Sequence, residues 1–319
     1  MSGSISIERG DRAMRLVPGG VFIMGSARFY PEEAPPRRVR IAPFLLDETP
    51  VTNRSFAAFV AATGHVTQAE RPPDPSLYPG LRRELAQPGS LVFEPAPARP
   101  GHPAPPWWHY RLGADWRHPL GPGSSLDGLE EHPVVHVGHG DAEAYAGWAG
   151  KRLPTEAEFE FAARGGLDDA DYAWGDELAP GGAMLANYWQ GPFPDGNTLE
   201  DGWLRTSPVA SFPANPYGLY DLIGNVWEWT ADWYAEPKAL KKKRPDACCI
   251  PADPRGGTRG HSIDRRDRCR IPRKVLKGGS HLCAASYCQR YRPAARYAQP
   301  IDTTTGHVGF RCAKDHEPV

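Results

Sequence analysis

The chain lacks the features of a membrane or secreted protein. None of its apolar runs approaches the roughly 18 residues that a membrane-spanning helix needs. Residues 1–9 contain no apolar segment of the kind found in secretory signals. We therefore expect no membrane association and a cytoplasmic location. In that reducing compartment, six cysteines are expected to be free thiols or metal ligands rather than a disulfide framework.

The chain also lacks an excess of either charge. Its formal net charge is -1 at pH 7, so no field of one sign favours nucleic acid or an anionic membrane. The basic runs at residues 241–244 and 265–266 are short and indicate solvated loops. We predict that nucleic acid is not a partner.

Two common catalytic patterns are missing. The histidines form no His-x-x-x-His pair on a clear helix, and Val137 and Gly138 separate His136 from His139. A 2-His-1-carboxylate iron site is therefore poorly supported. No Gly-x-Ser-x-Gly motif surrounds Ser280, which argues against a hydrolase.

Glycine, proline and tryptophan are abundant instead. The 319 residues include 34 glycines, 35 prolines and 10 tryptophans, which predicts many turns, few long helices and an aromatic core. Residues 70–130 are rich in glycine and proline, yet they contain Trp107, Trp108 and Trp116, which a disordered linker would avoid. We predict an ordered loop layer, with Trp107 and Trp108 either structural or lining a peptide groove.

Local patterns predict short elements within one irregular domain. Strands are expected within residues 17–26, 38–42 and 43–47, and amphipathic helices over residues 51–60, 140–149 and 155–163. Thr155 and Glu158 form a capping-box pattern at the start of the third helix. Residues 235–277 are charged and indicate a loop insertion. Neither an internal repeat nor a linker divides the chain.

Two segments contain oxygen-bearing side chains among glycine-rich turns. The first combines residues 187–191 with 200–203, and the second covers residues 221–229. Calcium takes roughly six to eight oxygen ligands, many of them backbone carbonyls, so both segments can hold such an ion. Spacing alone is a weak signal, because Asp221 and Glu228 equally suit turn caps or ion pairs with arginine.

Cys283 and Cys288 stand five positions apart among aromatic and cationic residues. Four interpretations are open: inert buried thiols, a redox-active disulfide, part of a zinc site, or a two-thiolate copper(I) site. A structural zinc ion needs about four ligands, and the other nearby cysteines include the adjacent pair Cys248 and Cys249, which rarely chelate together. Copper(I) accepts two thiolates and leaves room for a substrate thiolate, but spacing does not prove this site.

Several further motifs occur together over nearly the whole chain. They lie at residues 19–25, 116–119, 151–158, 217–229, 278–288 and 309–312. Their combination resembles the formylglycine-generating enzyme family, also called sulfatase-modifying factors. The Gly-Asn-x-Trp-Glu-Trp and Gly-Phe-Arg motifs mark only the fold of that family. Cys283 and Cys288, with Tyr287 and residues 290–292, are the more specific marks of the generating enzymes.

The resemblance implies an α+β fold: a single irregular domain with little regular secondary structure, related to C-type lectins. The domain would cover residues 12–316, with tails at 1–11 and 317–319. The implied activity is a copper-dependent oxidation in which Cu(I) and O2 convert the cysteine of a sulfatase Cys-x-Pro-x-Arg motif to Cα-formylglycine. The implied partner is an unfolded or nascent sulfatase polypeptide, and we expect the enzyme to be a monomer.

The resemblance also assigns roles to particular residues. Cys283 and Cys288 become the copper ligands, with Ser280 and Tyr287 as catalytic neighbours. Substrate contacts are expected from Arg292, His307 and Trp227, although Trp227 also suits a core position. One calcium ion is expected at Asn187, Tyr188, Asp201 and Trp203. A second is expected at Asp221, Gly224, Val226 and Glu228. Four of these would bind through backbone carbonyls: Tyr188, Trp203, Gly224 and Val226.

The chain departs from the family pattern at several positions. Cysteines of secreted relatives are replaced here by Ala146, Ala163 and Pro293. Cys312 therefore lacks its usual partner, as expected of a cytosolic enzyme. His307 replaces a family asparagine, and Gly89 aligns with a family aspartate thought to hold the substrate arginine. These last two changes bear on peptide specificity more than on the chemistry.

Two other functions are compatible with the fold motifs. A non-catalytic module would bind a peptide or other ligand without consuming oxygen. An iron-dependent oxygenase that forms sulfur–carbon bonds would need a histidine-rich site and usually an extra helical domain. Metal analysis separates the three hypotheses. Bound copper favours the oxidase, bound iron favours the oxygenase, and the absence of both metals favours the binding module.

Overall fold

A computed structural model describes residues 13–95, 106–236 and 250–317 of the chain. Within these residues, eleven short strands and three α-helices are joined by long irregular segments. The predicted α+β class with little regular secondary structure is confirmed. The described part contains no helix that is both long and apolar enough to cross a membrane. The predicted N-terminal tail, the basic run at 241–244 and the Cys248–Cys249 pair lie outside the described residues.

The three helices lie where the sequence predicts them. They are α1 (Asn53–Thr63), α2 (His139–Trp148) and α3 (Glu156–Arg164). The capping box of α3 is confirmed, because Thr155 Oγ1 accepts a hydrogen bond from Glu158 N at 3.1 Å and Glu158 Oε2 accepts one from Thr155 N at 2.8 Å. Gly165 ends α3 in the left-handed conformation, with φ of 57°.

The strands form four small sheets. The largest contains β7 (Trp227–Trp233), β8 (Arg273–Lys277), β9 (Arg296–Pro300) and β10 (Val308–Gly309) in the order β10-β7-β8-β9. A second sheet has the order β1-β4-β11 and contains β1 (Met14–Val17), β4 (Phe44–Asp47) and β11 (Ala313–Asp315). Two antiparallel pairs remain: β2 (Gly20–Met24) with β3 (Arg37–Ile41), and β5 (Gly89–Phe93) with β6 (Trp108–Leu112).

Two parts of the sequence prediction differ from the structure. Residues 70–130 were expected to be loops, but they include β5 and β6, which pair with each other and line the site described below. Residues 235–277 were expected to be a loop insertion, but their last five residues form β8, an inner strand of the largest sheet. Both differences arise because strands this short are stabilised by partners distant in sequence, which local patterning does not reveal.

Aromatic residues fill the largest of three hydrophobic cores in the described residues, as the composition predicts. Phe56 lies at its centre and packs against Phe59, Trp116, Tyr145 and Phe310. The same core contains Cys283 and Trp229, so the cysteine segment packs against it. The second core lies between the β2–β3 pair and α3.

Buried ion pairs connect the irregular segments to the sheets. The Arg311 guanidinium binds both carboxylate oxygens of Glu228 at 2.8 Å, and neither residue is exposed. Lys277 Nζ lies 3.0 Å from Glu160 Oε2, which joins β8 to α3. Breaking such a buried pair by removing one partner typically costs about 3 to 5 kcal/mol. These pairs therefore join segments that are distant in sequence where backbone ladders are short.

Candidate active site at a buried cysteine pair

Cys283 and Cys288 meet at one wall of a large cavity. Their Sγ atoms are 3.3 Å apart, so the two cysteines are close but not joined by a disulfide. The cavity has a volume of about 420 Å³. Cys283 is buried, with 2% of its surface exposed, whereas Cys288 is partly accessible.

A tight turn brings the two cysteines together. Gly278 and Gly279 have φ of 92° and 75°, a region that side chains rarely adopt. A Cβ on Gly279 would lie 2.5 Å from the Arg290 carbonyl oxygen, so only glycine fits there. Cys288 N then donates to Ala284 O at 2.7 Å, which closes one helical turn between the two sulfurs.

The two thiols differ in acidity. The pKa of Cys288 is lowered to about 6, first because the Cys283 side chain hydrogen-bonds to it, and also because Arg290 is close. Burial, followed by the interaction with Cys288, raises the pKa of Cys283 well above its ordinary value. These directions make Cys288 the more acidic thiol of the pair.

Arg290 supplies the positive charge beside this pair. Its Nη2 lies 2.7 Å from Glu32 Oε1, and its guanidinium lies over the ring of Tyr30 at 4.0 Å from the centroid. Arg290 and Tyr30 both line the cavity. The ion pair and the aromatic contact fix the orientation of the guanidinium while leaving it at the cavity wall.

Four of the other predicted catalytic and substrate-binding residues also line this cavity. Ser280 and Trp227 are buried in its wall. Tyr287 is 58% exposed at the rim, and its ring stacks on Phe193 with centroids 4.7 Å apart. His307 packs on Trp108 with centroids 4.7 Å apart, and burial lowers its pKa to about 3, so its imidazole is neutral.

Arg292 does not line the cavity. Its guanidinium is buried and pairs with Glu33, with Nη1 2.9 Å from Oε2. A direct substrate contact, as the resemblance implied, therefore has no support in this geometry, and Arg292 anchors the cysteine segment to residues 31–33. Gly89 lines a neighbouring cavity of about 300 Å³ rather than the cysteine cavity itself.

The sequence did not single out several residues of the cavity wall: Tyr30, Leu91, Phe193, Tyr297, Gln299 and Thr305. None carries a motif or a reactive group that would mark it in a single sequence. Trp107 and Trp108 were expected to be either structural or part of a groove, and both line the cavity. The density of tryptophan in residues 106–116 was the available signal.

The first predicted calcium segment brings several oxygens together. The carboxylate of Asp201 accepts hydrogen bonds from Tyr188 N at 3.1 Å and Trp203 N at 2.9 Å. Asn187 is 1% exposed, and its Oδ1 has no partner within the described residues. Burial raises the pKa of Asp201, which indicates a carboxylate short of positive charge. An oxygen-binding cation fits this donor set.

In the second predicted segment, an arginine already neutralises one of the carboxylates. Both oxygens of Glu228 already bind Arg311, whose Nη2 also reaches the carbonyl oxygens of Tyr220 and Asp221. Asp221 Oδ2 accepts a backbone hydrogen bond from Ala210 N at 2.8 Å, and the Asn225 side chain also hydrogen-bonds to this carboxylate. Burial raises the pKa of Asp221. A cation fits here through Asp221 and backbone carbonyls rather than through Glu228. No cluster of three or more His, Cys, Asp or Glu side chains lies at either place in the described ranges.

Comparisons with known proteins identify the family of this chain. A family model described as "Sulfatase-modifying factor enzyme 1-like domain" matches residues 7–316. The formylglycine-generating enzyme of Mycobacterium tuberculosis is 50% identical, over 94% of this chain and 96% of the relative. That of Mus musculus is 44% identical, over 95% of this chain and 75% of the relative. "Inactive C-alpha-formylglycine-generating enzyme 2" of Mus musculus is 39% identical, over 95% of this chain and 86% of the relative.

Two solved structures share the fold. PvdO from Pseudomonas aeruginosa has a TM-score of 0.56 and 23% identity, covering 96% of this chain and 95% of its own. CarF has a TM-score of 0.53 and 20% identity, and the match covers 96% of this chain and 99% of CarF. At these identities the likeness concerns the fold alone. The family model and the 44–50% identical relatives show that this chain belongs to the sulfatase-modifying factor family and is an enzyme of the formylglycine-generating type.

Proposed function

We propose that this enzyme oxidises a cysteine in a sulfatase polypeptide to Cα-formylglycine, with O2 as oxidant and copper(I) bound by Cys283 and Cys288. The approach of the two sulfurs to 3.3 Å at the wall of a large cavity is the observation that carries the proposal. The relatives named formylglycine-generating enzyme support the activity.

The thiol chemistry of the pair suits a soft cation. Copper(I) prefers soft sulfur ligands, and metal binding requires both thiols to be deprotonated. Cys288 is the more acidic thiol, whereas Cys283 would release its proton on binding. When bound, copper(I) would supply a third position for the substrate thiolate and the capacity to react with oxygen.

The cavity walls suit a peptide segment. Trp107, Trp108 and Phe193 form an apolar side, and Tyr287 stands exposed at the rim. An extended peptide laid on this surface would cover the cysteine pair and exclude water from it. The buried Asn187 Oδ1 and the carboxylate of Asp201 support a calcium ion that would stiffen the segment leading into this wall.

Two polar residues can orient the substrate within the cavity. The neutral imidazole of His307 is held by Thr305 and Trp108 and presents a hydrogen-bonding group. The Ser280 side chain is buried beside the cysteines, and its Oγ accepts a hydrogen bond from Leu282 N at 3.3 Å. Rigid placement of this kind favours the single orientation that removal of a substrate Cβ hydrogen requires.

The test is oxidation of a peptide that contains Cys-x-Pro-x-Arg. Turning CH2–SH into an aldehyde while O2 forms water releases H2S and needs two more electrons, so a thiol reductant is included. With copper(I), we expect a product of aldehyde mass in the wild-type reaction. Cys283→Ser and Cys288→Ser are expected to abolish it. Cys269→Ser removes another free cysteine outside the cavity and serves as the matched control.

A second candidate function is peptide binding without oxidation. The 39% identity to a relative named as inactive is the observation that favours it. Peptide binding by wild-type protein with no aldehyde and no oxygen uptake, in the presence of copper(I) and reductant, would favour this candidate over the oxidase.

We also propose that the enzyme works in a reducing compartment. Cys269, Cys283, Cys288 and Cys312 are all free thiols in the structure. Cys312 is fully buried, and its backbone N donates to Asp47 Oδ2 at 3.0 Å. Thiol counting on protein purified from its native cells checks this proposal, and a full set of disulfides would contradict it.

A further inference from the structure

We propose that a second cavity behind the cysteine pair binds molecular oxygen and delivers it to the site while a polypeptide occupies the front. The inference rests on the proposed function, since it assumes that O2 is the oxidant. The second cavity, here called the rear chamber, has a volume of about 140 Å³. Leu282 lines both the rear chamber and the cysteine cavity, and it directly precedes Cys283.

The wall between the two cavities is one residue thick in three places. Leu282 faces both cavities. In β5, Leu91 lines the cysteine cavity and the next residue, Val92, lines the rear chamber, because successive side chains of a strand point to opposite faces. Near β10, Gly306 lines the rear chamber and His307 lines the cysteine cavity. Movement of the Leu282 side chain would therefore connect the two spaces.

Most of the rear chamber is apolar. Its lining includes Val92, Phe93, Leu126, Leu129, Val135 and Leu282. His136, which also lines it, has both ring nitrogens engaged, by Ser90 Oγ at 2.7 Å and Pro119 O at 2.9 Å. Apolar protein cavities of about 150 Å³ stay dry and take up apolar guests such as xenon. Molecular oxygen is an apolar guest of similar character.

The rest of the lining is polar and includes Arg205, His132, His281, Ser124 and Thr206. Asn53 Oδ1 and Trp116 Nε1 are buried and have no hydrogen-bond partner among the described residues. Two such atoms suit a water molecule rather than oxygen. The first experiment therefore measures whether the chamber takes up an apolar guest beside these atoms.

The entrance of the rear chamber is separate from the rim of the cysteine cavity. Leu120, which is 44% exposed, and the exposed Ser125 connect the chamber lining to the surface. The cysteine cavity opens instead beside Tyr287, which does not line the rear chamber. A peptide seated over the cysteines would cover the front opening. A separate route lets oxygen arrive after the substrate has bound.

The first experiment measures guest binding without turnover. Crystals of metal-free protein are pressurised with xenon, and we expect a xenon atom in the rear chamber. Val135→Phe places a larger side chain in its inner lining and is expected to remove that atom. Absence of xenon from the wild-type chamber, or ordered water throughout it, would overturn the proposal.

The second experiment measures the KM for O2 at saturating peptide. Val135→Phe is expected to raise the KM for O2 by roughly threefold or more while the KM for the peptide stays the same. Leu81→Phe enlarges a side chain of the other neighbouring cavity and is the control. If Val135→Phe does not fold, Ser125→Trp narrows the exposed entrance instead.

The outcomes separate the two proposals. Wild-type turnover with an unchanged KM for O2 in the narrowed variant contradicts oxygen delivery through the chamber. No aldehyde from wild-type protein contradicts the proposed function, whereas the xenon result still decides whether the chamber holds an apolar guest.

Discussion

Tyr291 lies buried in the same core as Cys283, and its hydroxyl has no hydrogen-bond partner within the described residues. Burying a hydroxyl without a partner costs free energy, so removing it should not weaken the fold. We predict that Tyr291→Phe leaves the free energy of unfolding unchanged or raises it by up to about 1 kcal/mol, as measured by urea denaturation.

Tyr78 provides the matched control for that change. Its hydroxyl donates to Asp302 Oδ2 at 2.5 Å, so Tyr78→Phe removes a hydrogen bond to a carboxylate. We expect this variant to lose about 1.5 to 3 kcal/mol of unfolding free energy. Equal losses in both variants would contradict the assignment of an unpartnered hydroxyl to Tyr291.

His136 predicts a loss of stability in acid. Burial lowers its pKa to about 4, whereas an unfolded histidine titrates near about 6.5. Below pH 6.5 the unfolded chain therefore binds a proton that the folded chain does not, and stability falls until pH 4. The difference amounts to about 3 kcal/mol at most. Burial lowers the pKa of His281 and His307 also, so they act in the same direction.

Unfolding measured between pH 7 and 4 checks this prediction. His136→Asn removes the titrating group, and asparagine tolerates the positive φ of 60° at this position. Its free energy of unfolding should depend less on pH than that of the wild type. If the free energy of unfolding of His136→Asn depends on pH as steeply as that of the wild type, the prediction is wrong.

Among the structural elements, the cysteine turn depends most on glycine. A Cβ on Gly279 would lie 2.5 Å from the Arg290 carbonyl, and its φ of 75° disfavours alanine. We predict that Gly279→Ala costs about 2 kcal/mol or more and lowers turnover by displacing the cysteines. Gly260→Ala is the control, because nothing lies within 4 Å of its Cβ position. Thermal denaturation of both variants distinguishes a local requirement from a general effect of alanine.

The elements differ in how far local sequence predicted them. Thr155 and Glu158 specified the start of α3 because a capping box is complete within four residues. The β5–β6 pair was missed because its strands join residues 89–93 to residues 108–112 across a long intervening segment. Cross-strand pairing, rather than a local pattern, stabilises such strands.

At the scale of the whole molecule, calcium is predicted to stabilise the fold. A ligand that binds only the folded state at a hundred times its Kd contributes about 2.7 kcal/mol. We therefore expect EGTA to lower the midpoint of thermal unfolding, and calcium titration calorimetry to detect two sites. Asp201→Asn should remove one of them, because its carboxylate is central to the first site.

Glu200 is the control for this prediction. It neighbours Asp201, but its carboxylate accepts a hydrogen bond from the Thr198 hydroxyl at 2.8 Å on an exposed surface. Glu200→Gln should keep both sites. Two sites in Asp201→Asn, or no response of wild-type protein to EGTA, would contradict the calcium assignment.

The candidate site was predicted in part from the sequence. Cys283, Cys288, Ser280 and Tyr287 are neighbours in the chain, so one motif identified them all, and the structure brings them to one cavity. Arg292 belongs to the same motif but points to Glu33 instead. A motif indicates which residues are close in the chain, whereas the side-chain directions depend on partners elsewhere.

The sequence by itself determined the family, the absence of long apolar runs, the helix starts and the pair of thiols. Each of these depends on residues that are near one another in the chain or on motifs that are matched as a set. Only the tertiary structure decided that Glu32 holds Arg290 beside the thiols, that Trp107 and Trp108 line the cavity, and that a chamber lies behind Leu282. These contacts join residues far apart in sequence, and their geometry depends on how the whole core packs.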